Sequence, residues 1–577
     1  MVGQISVFCT LLTIKDSDFS SKNNCMDQIA KAPKHPKGLF VLFFTEMWER
    51  FGYYLMVGIL LLYLTDTTTG GKEMTRGMGV DVVGTFIALV YLTPFIGGLI
   101  ADRYLGYLKS IFIGGSMMAA GYLGLALPGD LAMYVSLGLI IVGNGFFKPN
   151  ISVLLGNLYN KEELKPLKDN AYNIFYMGIN IGALFCNFVA AYLRNAYGWG
   201  YAFAAAGIGL IIGLIWLALQ VKHVKEADIK RPMEPGDMPI SKIFISVFLP
   251  MIVFGIIGWF IPGNIMNSDS NDAFIFACIP VIFFYVNLWR KGNEQDKKGI
   301  GALLFIFTVS IIFWTIYNQN STGLTIWAES HTDRQITSVL EGPASKIDMV
   351  QRITAEPYEV TKVDQYMRPV LDAKGVPIKE MGPDPYLNNL PKDKWPAAGE
   401  ELKLTNAELY QSINPFFIVI LTPLLLGFFA FLSKRKKEPS TMSKFGYALI
   451  IAGLSALVMV FAVMSVPSIY LYKTAGLWLV LTYFVFTISE IFLSPIGLSL
   501  VSKLSPPRLT ALMMGGWFLS TSLGGKVAGV MASFWDKMPD KRIFFGIIAV
   551  AAVLGGLLIF SKIKGLNQIV KDKTGSV

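Results

Sequence analysis

Six charged side chains lie well inside long apolar segments of the sequence, away from the segment ends, where charged residues are rare. Placing such a side chain at mid-membrane costs roughly 2.5–3.5 kcal/mol on insertion scales, so each one is a candidate for a function. None of the three histidines (His35, His223, His331) falls in such a segment, so a group that exchanges protons there must be a carboxylate. The six residues are Glu46, Glu49, Arg50, Lys148, Glu490 and Lys526.

The first three of these residues are spaced to share one helix face with two tyrosines, Tyr53 and Tyr54. Two carboxylates beside one guanidinium cannot both be neutralised by it. We therefore expect one of Glu46 and Glu49 to pair with Arg50 while the other takes up a proton, because apolar surroundings and an acidic neighbour favour its neutral form. The alternative is a buried ion pair that only fixes how helices pack.

Lys148 and Glu490 supply one charge of each sign in two distant segments. Lys148 precedes Pro149, which frees a backbone carbonyl, and Glu490 lies in the middle of its segment. Together they predict a central site for a zwitterion of a few residues, although either side chain could instead snorkel to the membrane surface. Lys526 follows two glycines, and a snorkelling or structural role is equally compatible with its position.

Several aromatic residues in these segments could line pockets for solute side chains. Most aromatic residues in membrane proteins serve packing or form interface belts, so each is a weaker candidate than the charged residues. They are Tyr53, Tyr54, Tyr91, Trp314 and Trp517.

The composition requires a membrane around these elements. Of the 577 residues 53% are hydrophobic and 16% are charged, against about 25% charged in soluble proteins. Apolar stretches of roughly 18 or more residues predict spanning helices. We predict an all-α polytopic protein with fourteen spans near 38–64, 80–101, 109–128, 132–157, 171–193, 200–221, 243–262, 273–289, 300–327, 412–432, 444–465, 475–500, 510–534 and 543–561.

The basic residues predict the orientation of these spans. With a cytoplasmic amino terminus, the tails and cytoplasmic loops hold 30 of the 50 Lys and Arg residues, and the short outward loops hold 7. We therefore expect a plasma (inner) membrane protein with both termini in the cytoplasm. Basic loops on an anionic leaflet also account for the net charge of +10 without a nucleic-acid partner.

The spans fall into two blocks of six with a helical hairpin between them, the pattern of transporters built from two pseudo-symmetric halves. We expect the hairpin to serve only packing, and residues 1–25 to be either genuine or dispensable. The predicted units are a cytoplasmic tail (1–37), a six-helix bundle (38–221), a linker and hairpin (222–299), the first helix of a second bundle (300–328), an extracytoplasmic insertion (329–411), the rest of that bundle (412–562) and a second tail (563–577).

The insertion 329–411 is polar, with 14 acidic and 10 basic residues, and shows no strong periodicity. It could form a small cap over the entrance or remain a loosely folded insertion, and the composition favours the latter.

Five motifs in order resemble those of the proton-dependent oligopeptide transporter (POT/PTR) family of the major facilitator superfamily. The resemblance covers the chain except residues 1–25 and 329–411. The motifs are Glu46-x-x-Glu49-Arg50-Phe51-x-Tyr53-Tyr54, the stretch from Gly97 to Gly106, the stretch from Phe175 to Leu184 with Asn180, Lys148-Pro149-Asn150, and Ser489-Glu490 to Pro495.

The resemblance implies a major facilitator fold and a carrier that rocks around a central site. It implies that the amino end of a peptide lies near Glu490 and its carboxylate near Lys148 and Arg50. By the same resemblance Tyr53, Tyr91, Asn180 and Asn414 contact the peptide.

The sequence also departs from this family. Many peptide-transporting members have a second arginine two turns after the first motif, paired with a glutamate in the seventh core span. Here those positions are Val57 and Asn318, so both charged partners are replaced by uncharged residues. The sequence therefore does not define the outer gate, the number of protons carried or the substrate.

We therefore expect proton-coupled symport of di- and tripeptides, with small peptides, protons and the lipid bilayer as partners and no obligate protein partner. Alternatives are a carrier of another small anion or zwitterion, and a nutrient sensor. We expect no enzymatic activity, no cofactor and no metal, because the sequence has no phosphate-binding loop, nucleophile elbow or metal-ligand spacing.

Overall fold

The computed structural model describes residues 34–229, 239–266, 268–336, 349–506 and 509–574. Cys9, Cys25 and Met26, in the predicted amino-terminal tail, lie outside these ranges. The first six helices, which we call the first bundle, are α1 (Lys37–Thr65), α2 (Arg76–Ile100, extended by a π-helical turn Ala101–Leu105), α3 (Tyr107–Gly124), α4 (Asp130–Leu158), α5 (Lys168–Tyr197) and α6 (Trp199–Leu219).

A hairpin and a second bundle follow. The hairpin consists of α7, which runs through Ile240–Ile243, the π-helical Phe244–Phe248 and Leu249–Trp259, and of α8 (Asp269–Lys291). The second bundle contains α9 (Glu294–Tyr317), α10 (Gly323–Ser330), α11 (Ile413–Lys434), α12 (Thr441–Met464), α13 (Leu477–Leu504), α14 (Thr510–Ser533) and α15 (Lys541–Thr574).

Each of the fourteen predicted spans coincides with helical structure, and most ends agree to within a few residues, but α15 continues to Thr574, well beyond the span predicted at 543–561. Within the described ranges, ten helices are long and apolar enough to cross a membrane. The span predicted at 300–327 is interrupted, because α9 ends at Tyr317 and a 3₁₀ turn, Asn318–Ser321, precedes α10. Side chains there bond to nearby carbonyls: Asn318 Nδ2 donates to Trp314 O at 2.8 Å and Thr322 Oγ1 donates to Asn318 O at 3.0 Å.

The two bundles meet closely where α2 packs on α14. A Cβ atom built on Gly84 would lie 2.8 Å from the Cα atom of Gly529, so the two backbones touch without intervening side chains. Small residues allow this approach, which is the usual way helices associate in a bilayer. The contact brings side chains from both bundles within hydrogen-bonding distance.

Residues 349–411, which we call the cap, form small β-structures. β2 (Gln351–Ile353) pairs antiparallel with β5 (Leu402–Leu404), and β3 (Tyr358–Thr361) pairs antiparallel with β4 (Lys379–Gly382). A further short pair of parallel strands is formed outside the cap by β1 (Thr332–Asp333) and β6 (Thr474–Ala475). The described cap residues thus have ordered pairing, in contrast to the loosely folded alternative, and a small core of Ile353, Tyr386, Leu387, Leu390 and Leu404.

The cap lies at one end of both bundles, and we call that end the cap side. Lys379 Nζ is 2.7 Å from Glu73 Oε2 in the first bundle's α1–α2 loop. Asn389 Nδ2 donates to Ser330 O and Ile469 O of the second bundle at 3.1 and 2.8 Å. The described ends of the chain lie on the opposite side, which we call the termini side.

Candidate functional site

The charged cluster of α1 is buried within the first bundle. Glu46, Glu49 and Arg50 are 3, 0 and 2% exposed. Arg50 Nη2 donates to Glu49 Oε1 at 2.5 Å, and Arg50 Nε donates to the other oxygen of Glu49. Arg50 Nε is also 3.4 Å from Glu46 Oε1. Helical spacing therefore brings the two carboxylates onto one guanidinium, as the sequence predicts.

The two carboxylates are not equivalent in this cluster. Both oxygens of Glu49 accept hydrogen bonds from Arg50, whereas Glu46 Oε2 has no hydrogen-bond partner among the described residues. A buried, unpartnered carboxylate oxygen is costly when charged. Glu46 is thus the carboxylate that can accept a proton without depriving Arg50 of its main partner.

Tyrosines and an asparagine surround the guanidinium of Arg50. It lies 4.9 Å from the ring centre of Tyr53 and 5.9 Å from that of Tyr54, within the range of cation–π attraction. Arg50 Nη2 also donates to Asn144 Oδ1 of α4 at 3.4 Å, and Asn144 Nδ2 donates to Val90 O of α2 at 2.9 Å. The cluster is thereby fixed to two neighbouring helices.

Lys148 of α4 lies in the same region but is paired differently. Its Nζ atom is 4.1 Å from the ring centre of Tyr91 of α2, and it interacts electrostatically with Arg50, Glu49 and Glu46. Among the residues that the structure describes, no carboxylate is within ion-pair distance of Lys148. This cation can therefore accept an anionic group from a solute.

Glu490 of α13 supplies the negative charge of the second bundle. It is 6% exposed, and its Oε2 atom accepts a hydrogen bond from Asn414 Nδ2 of α11 at 2.9 Å. Asn414 Nδ2 also lies 3.0 Å from Thr487 Oγ1, one turn before Glu490. The amide orients the carboxylate, and no cation of the described residues neutralises it within ion-pair distance.

Tyrosines connect the charges of the two bundles. The side chains of Tyr54 of α1 and Tyr317 of α9 lie close enough to interact with each other. Tyr54, Tyr91 and Tyr317 all interact electrostatically with Glu490. Arg50, Lys148 and Glu490 therefore face one region between the bundles, bordered by these three tyrosines.

Two other predicted contact residues, Asn180 and Trp517, contact neighbours within their own bundles in this conformation. Asn180 is buried in α5 and its Nδ2 atom donates to Tyr176 O of the same helix at 2.8 Å. Trp517 packs inside the second bundle, with ring centres 6.2 Å from Trp314 and 6.3 Å from Phe307. In this conformation Trp517 and Trp314 belong to an aromatic cluster of the second bundle.

Lys526 does not snorkel to the membrane surface. Its side chain is 2% exposed, and Nζ is 2.8 Å from Asp81 Oδ1 of α2, so the two residues form an ion pair between the bundles. Val57 and Asn318 are both buried, and Asn318 donates to its own helix. The two positions at which the family often has a charged pair thus form no polar link here.

On the cap side, polar contacts instead join the first bundle to the last residues of the cap, which lead into α11 of the second bundle. Asn195 of α5 and Asn406 exchange hydrogen bonds through their side-chain amides at 3.0 and 2.9 Å. Arg194 Nη1 is 3.4 Å from Oε2 of Glu408, which is fully buried. Gln411 Nε2 donates to Gly58 O at 2.9 Å, next to Val57. We call this set the cap-side seam, and it closes the cap side in this conformation.

Sequence reasoning missed several of these partners. Asp81 falls inside the span predicted at 80–101, so its burial as an ion-pair partner was detectable from hydropathy. Asn144, between two glycines in mid-span, gave a similar signal. Hydropathy gave no such signal for Glu408, which lies in the polar insertion, or for Ser270, which lies at the start of a hairpin helix.

Comparisons with known proteins agree with this geometry. A sequence model of the POT family matches residues 108–353 and 401–550. The chain is 32% identical over 545 residues to an uncharacterized transporter of Bacillus subtilis (strain 168), covering 93% of this chain and 94% of that protein. It is 30% identical over 554 residues to a di-/tripeptide transporter of Lactococcus lactis subsp. lactis (strain IL1403), covering 93% and 97%.

Solved structures show the same fold. The crystal structure of the peptide transporter POT in complex with sulfate superposes with a TM-score of 0.70 at 28% identity, covering 93% of this chain and 96% of that chain. The fold is therefore that of the major facilitator transporters, as predicted. By its sequence, its motifs and its fold, this multi-pass membrane protein belongs to the POT family.

Proposed function

We propose that this protein is a secondary active transporter that carries di- and tripeptides together with protons by alternating access. One observation carries the proposal: two buried carboxylates share one guanidinium, while Lys148 of the same bundle and Glu490 of the other bundle have no ion-pair partner among the described residues. The relative from Lactococcus lactis subsp. lactis that is named a di-/tripeptide transporter supports the choice of solute.

The free ends of a peptide fit Lys148 and Glu490, the two charges near Arg50 that have no ion-pair partner among the described residues. Its ammonium group binds Glu490, whose carboxylate Asn414 orients, and its carboxylate binds Lys148 with help from Arg50. Because both ends of the solute are charged, buried partners of opposite sign replace the water that each end loses. The residues proposed to line the rest of the site are Tyr53, Tyr54, Tyr91, Asn180 and Trp517.

A proton on Glu46 provides the coupling. In the charged form Glu46 attracts Arg50, and in the neutral form that attraction is lost, so Arg50 is freer to turn toward the carboxylate of the peptide. Moving one charge through 100 mV yields about 2.3 kcal/mol, enough for roughly a fifty-fold concentration ratio. The membrane gradient, not a nucleotide, supplies the energy.

The proposed location is the plasma (inner) membrane, with both termini in the cytoplasm and the cap outside. The excess of basic residues on the termini side supports this orientation. We propose 38–221 as one moving half and 300–328 with 412–562 as the other, with 222–299 as linker and hairpin. The cap-side seam then makes the described conformation closed to the outside.

A carrier of another small anion or zwitterion is the second candidate, because Val57 and Asn318 leave no charged pair between α1 and α9. Uptake into liposomes that hold the pure protein separates the two. Under an inward proton gradient, labelled dialanine should accumulate, and unlabelled di- and tripeptides should compete while nitrate and simple organic acids do not. Competition by nitrate or organic acids alone would reject the peptide proposal.

A further inference from the structure

Lys526 of α14 has three hydrogen-bond acceptors, one for each of its ammonium protons. Its Nζ atom is 2.8 Å from Asp81 Oδ1, 2.6 Å from Thr85 Oγ1 and 2.8 Å from Ser270 Oγ. The lysine side chain is 2% exposed, so these oxygens replace its hydration. A buried ammonium with all its donors satisfied is stable only while its partners stay in place.

These partners come from three separate parts of the fold. Asp81 and Thr85 belong to α2 of the first bundle, Lys526 to α14 of the second, and Ser270 to α8 of the hairpin. Ser270 Oγ also donates to Asp81 Oδ1 at 2.6 Å and lies 3.2 Å from Thr85 Oγ1. The hydroxyl of one hairpin residue thus touches every other member of the network.

The network lies on the cap side, where the two bundles are in direct contact. Asp81 is one and a half turns from the start of α2, which begins at Arg76 beside the cap, and Arg76 Nη1 donates to Met367 O at 2.9 Å. Opening the cap side requires α2 to move away from α14. That movement separates Lys526 from Asp81 and Thr85.

The other end of α8 is bonded to the second bundle. Tyr285 Oη donates to Leu512 O of α14 at 2.8 Å, and Trp289 Nε1 donates to Lys297 O of α9 at 3.1 Å. The helix therefore crosses between the halves, with polar contacts to the second bundle near the termini side and to both bundles through Ser270 near the cap side. A helix attached in this way resists separation of α2 from α14.

We propose that Ser270 is a positioning residue of the transport cycle, which holds Lys526 and Asp81 together and makes the hairpin part of the cap-side gate. The proposal gives the hairpin a role beyond the packing expected from the sequence. It rests on alternating access, which belongs to the proposed function, but it does not depend on which solute is carried.

The test measures how far the cap side opens without any solute. Spin labels are placed by Tyr134→Cys on α4 and Leu477→Cys on α13, both exposed at cap-side helix starts, in protein from which the four native cysteines are removed. Ser270→Ala should increase the population with a long distance between the labels about tenfold, because a hydrogen bond to a charged group is lost. Ser270→Thr, which keeps the hydroxyl, should restore the distance distribution of the parent protein.

Ser246→Ala is the matched control, because Ser246 lies in the same hairpin and donates only to Lys242 O of its own helix among the described residues. Thr85→Val removes an acceptor of Lys526 from α2 instead of the hairpin, and should also favour opening. Equal distances in Ser270→Ala and Ser246→Ala would overturn the proposal, as would opening by Thr85→Val without opening by Ser270→Ala. If the parent protein shows both short and long distances and Ser270→Ala does not change their populations, the role of Ser270 is refuted but alternating access is not. If every sample shows only one distance, alternating access is contradicted as well.

Discussion

Arg50 Nε lies 3.4 Å from Glu46 Oε1, while the same guanidinium donates to both oxygens of Glu49. One arginine therefore serves two carboxylates unequally, within one and a half turns of α1. Neutralising Glu46 leaves Arg50 with a complete partner, whereas neutralising Glu49 does not. This inequality is the reason for proposing Glu46 as the residue that takes up the proton and Glu49 as the structural partner of Arg50.

Lys148→Gln should weaken the binding of peptides with a free carboxyl end. We expect the Kd for dialanine to rise about tenfold or more, since a hydrogen bond to a charged group contributes about 1.5–3 kcal/mol. Dialanine amide lacks that carboxylate, so its binding should change little. Binding of both compounds to the pure protein by calorimetry measures the difference. Lys109→Gln, on an exposed lysine at the start of α3, is the control, and equal losses for the two compounds would argue against the assignment.

Glu490→Gln should weaken recognition of the amino end in the same way. The glutamine oxygen can still accept the hydrogen bond from Asn414, so the shape is kept and only the charge is removed. We expect about a tenfold loss of affinity or more for dialanine, and almost none for N-acetyl-dialanine. If the acetylated peptide loses as much as the free one, Glu490 holds the helices together and does not bind the ammonium group.

Hydropathy and helical spacing account for the parts of the structure that depend on local sequence. The fourteen spans follow from apolar stretches, and the cluster of Glu46, Glu49 and Arg50 follows from their positions on one helix. Pairings across the bundles do not follow in this way. Arg194 and Glu408 are separated by more than two hundred residues, and only the fold shows that these two charges meet.

Arg194→Gln should destabilise the closed cap side, because it leaves Glu408 buried without a cation. Removing one partner of a buried pair costs about 3–5 kcal/mol, and the double variant with Glu408→Gln should recover part of that loss. A double-mutant cycle on the free energy of unfolding should give a coupling of about 1 kcal/mol or more.

The control for this cycle is the pair Lys161 and Glu226, whose charged atoms lie at the same distance of 3.4 Å but are largely exposed. Its coupling should be close to zero, because water screens exposed pairs. If the effects of Arg194→Gln and Glu408→Gln on the free energy of unfolding are additive, the ion pair between these two residues does not stabilise the closed cap side.

His331, just beyond the end of α10, should make the protein less stable in acid. Burial lowers its pKa well below the ordinary 6.5. The nearby cations lower the pKa further, and these are Arg76, Lys541 and Lys473. The hydrogen bond with Ile469 O raises the pKa, but by less. The unfolded chain therefore binds a proton below about pH 6.5 that the folded protein does not, so stability falls as the pH drops below that value.

His331→Gln should remove this contribution. The fall of the melting temperature between pH 7.5 and pH 5 should be smaller in the variant than in the parent protein, whatever the two values are at pH 7.5. Parallel falls would mean that His331 becomes protonated in the folded state without cost.

The cap and the hairpin show where prediction from the sequence ends. The polar composition of 329–411 favoured a loose insertion, yet Tyr386 and Leu404 are buried in a small core that the described part of the cap builds from short strands. The hairpin was expected only to pack, and nothing in the sequence around Ser270 indicates that it meets Lys526. Both results depend on contacts between segments far apart in the chain.

The central claim is that proton binding at Glu46 couples the gradient to solute movement. The direct measurement compares two modes of dialanine transport in the same proteoliposomes, uptake driven by an inward proton gradient and counterflow without a gradient. Glu46→Gln mimics the neutral carboxylate and leaves the pairing of Arg50 with Glu49 intact. It should therefore abolish gradient-driven uptake and retain counterflow at a rate similar to that of the parent protein.

Glu49→Gln provides the comparison, because it leaves Arg50 short of its main partner and should lower the melting temperature more than Glu46→Gln does. The account predicts loss of accumulation with retention of counterflow in Glu46→Gln. Accumulation of dialanine against its gradient by Glu46→Gln, or equal loss of both transport modes in this variant, would contradict it.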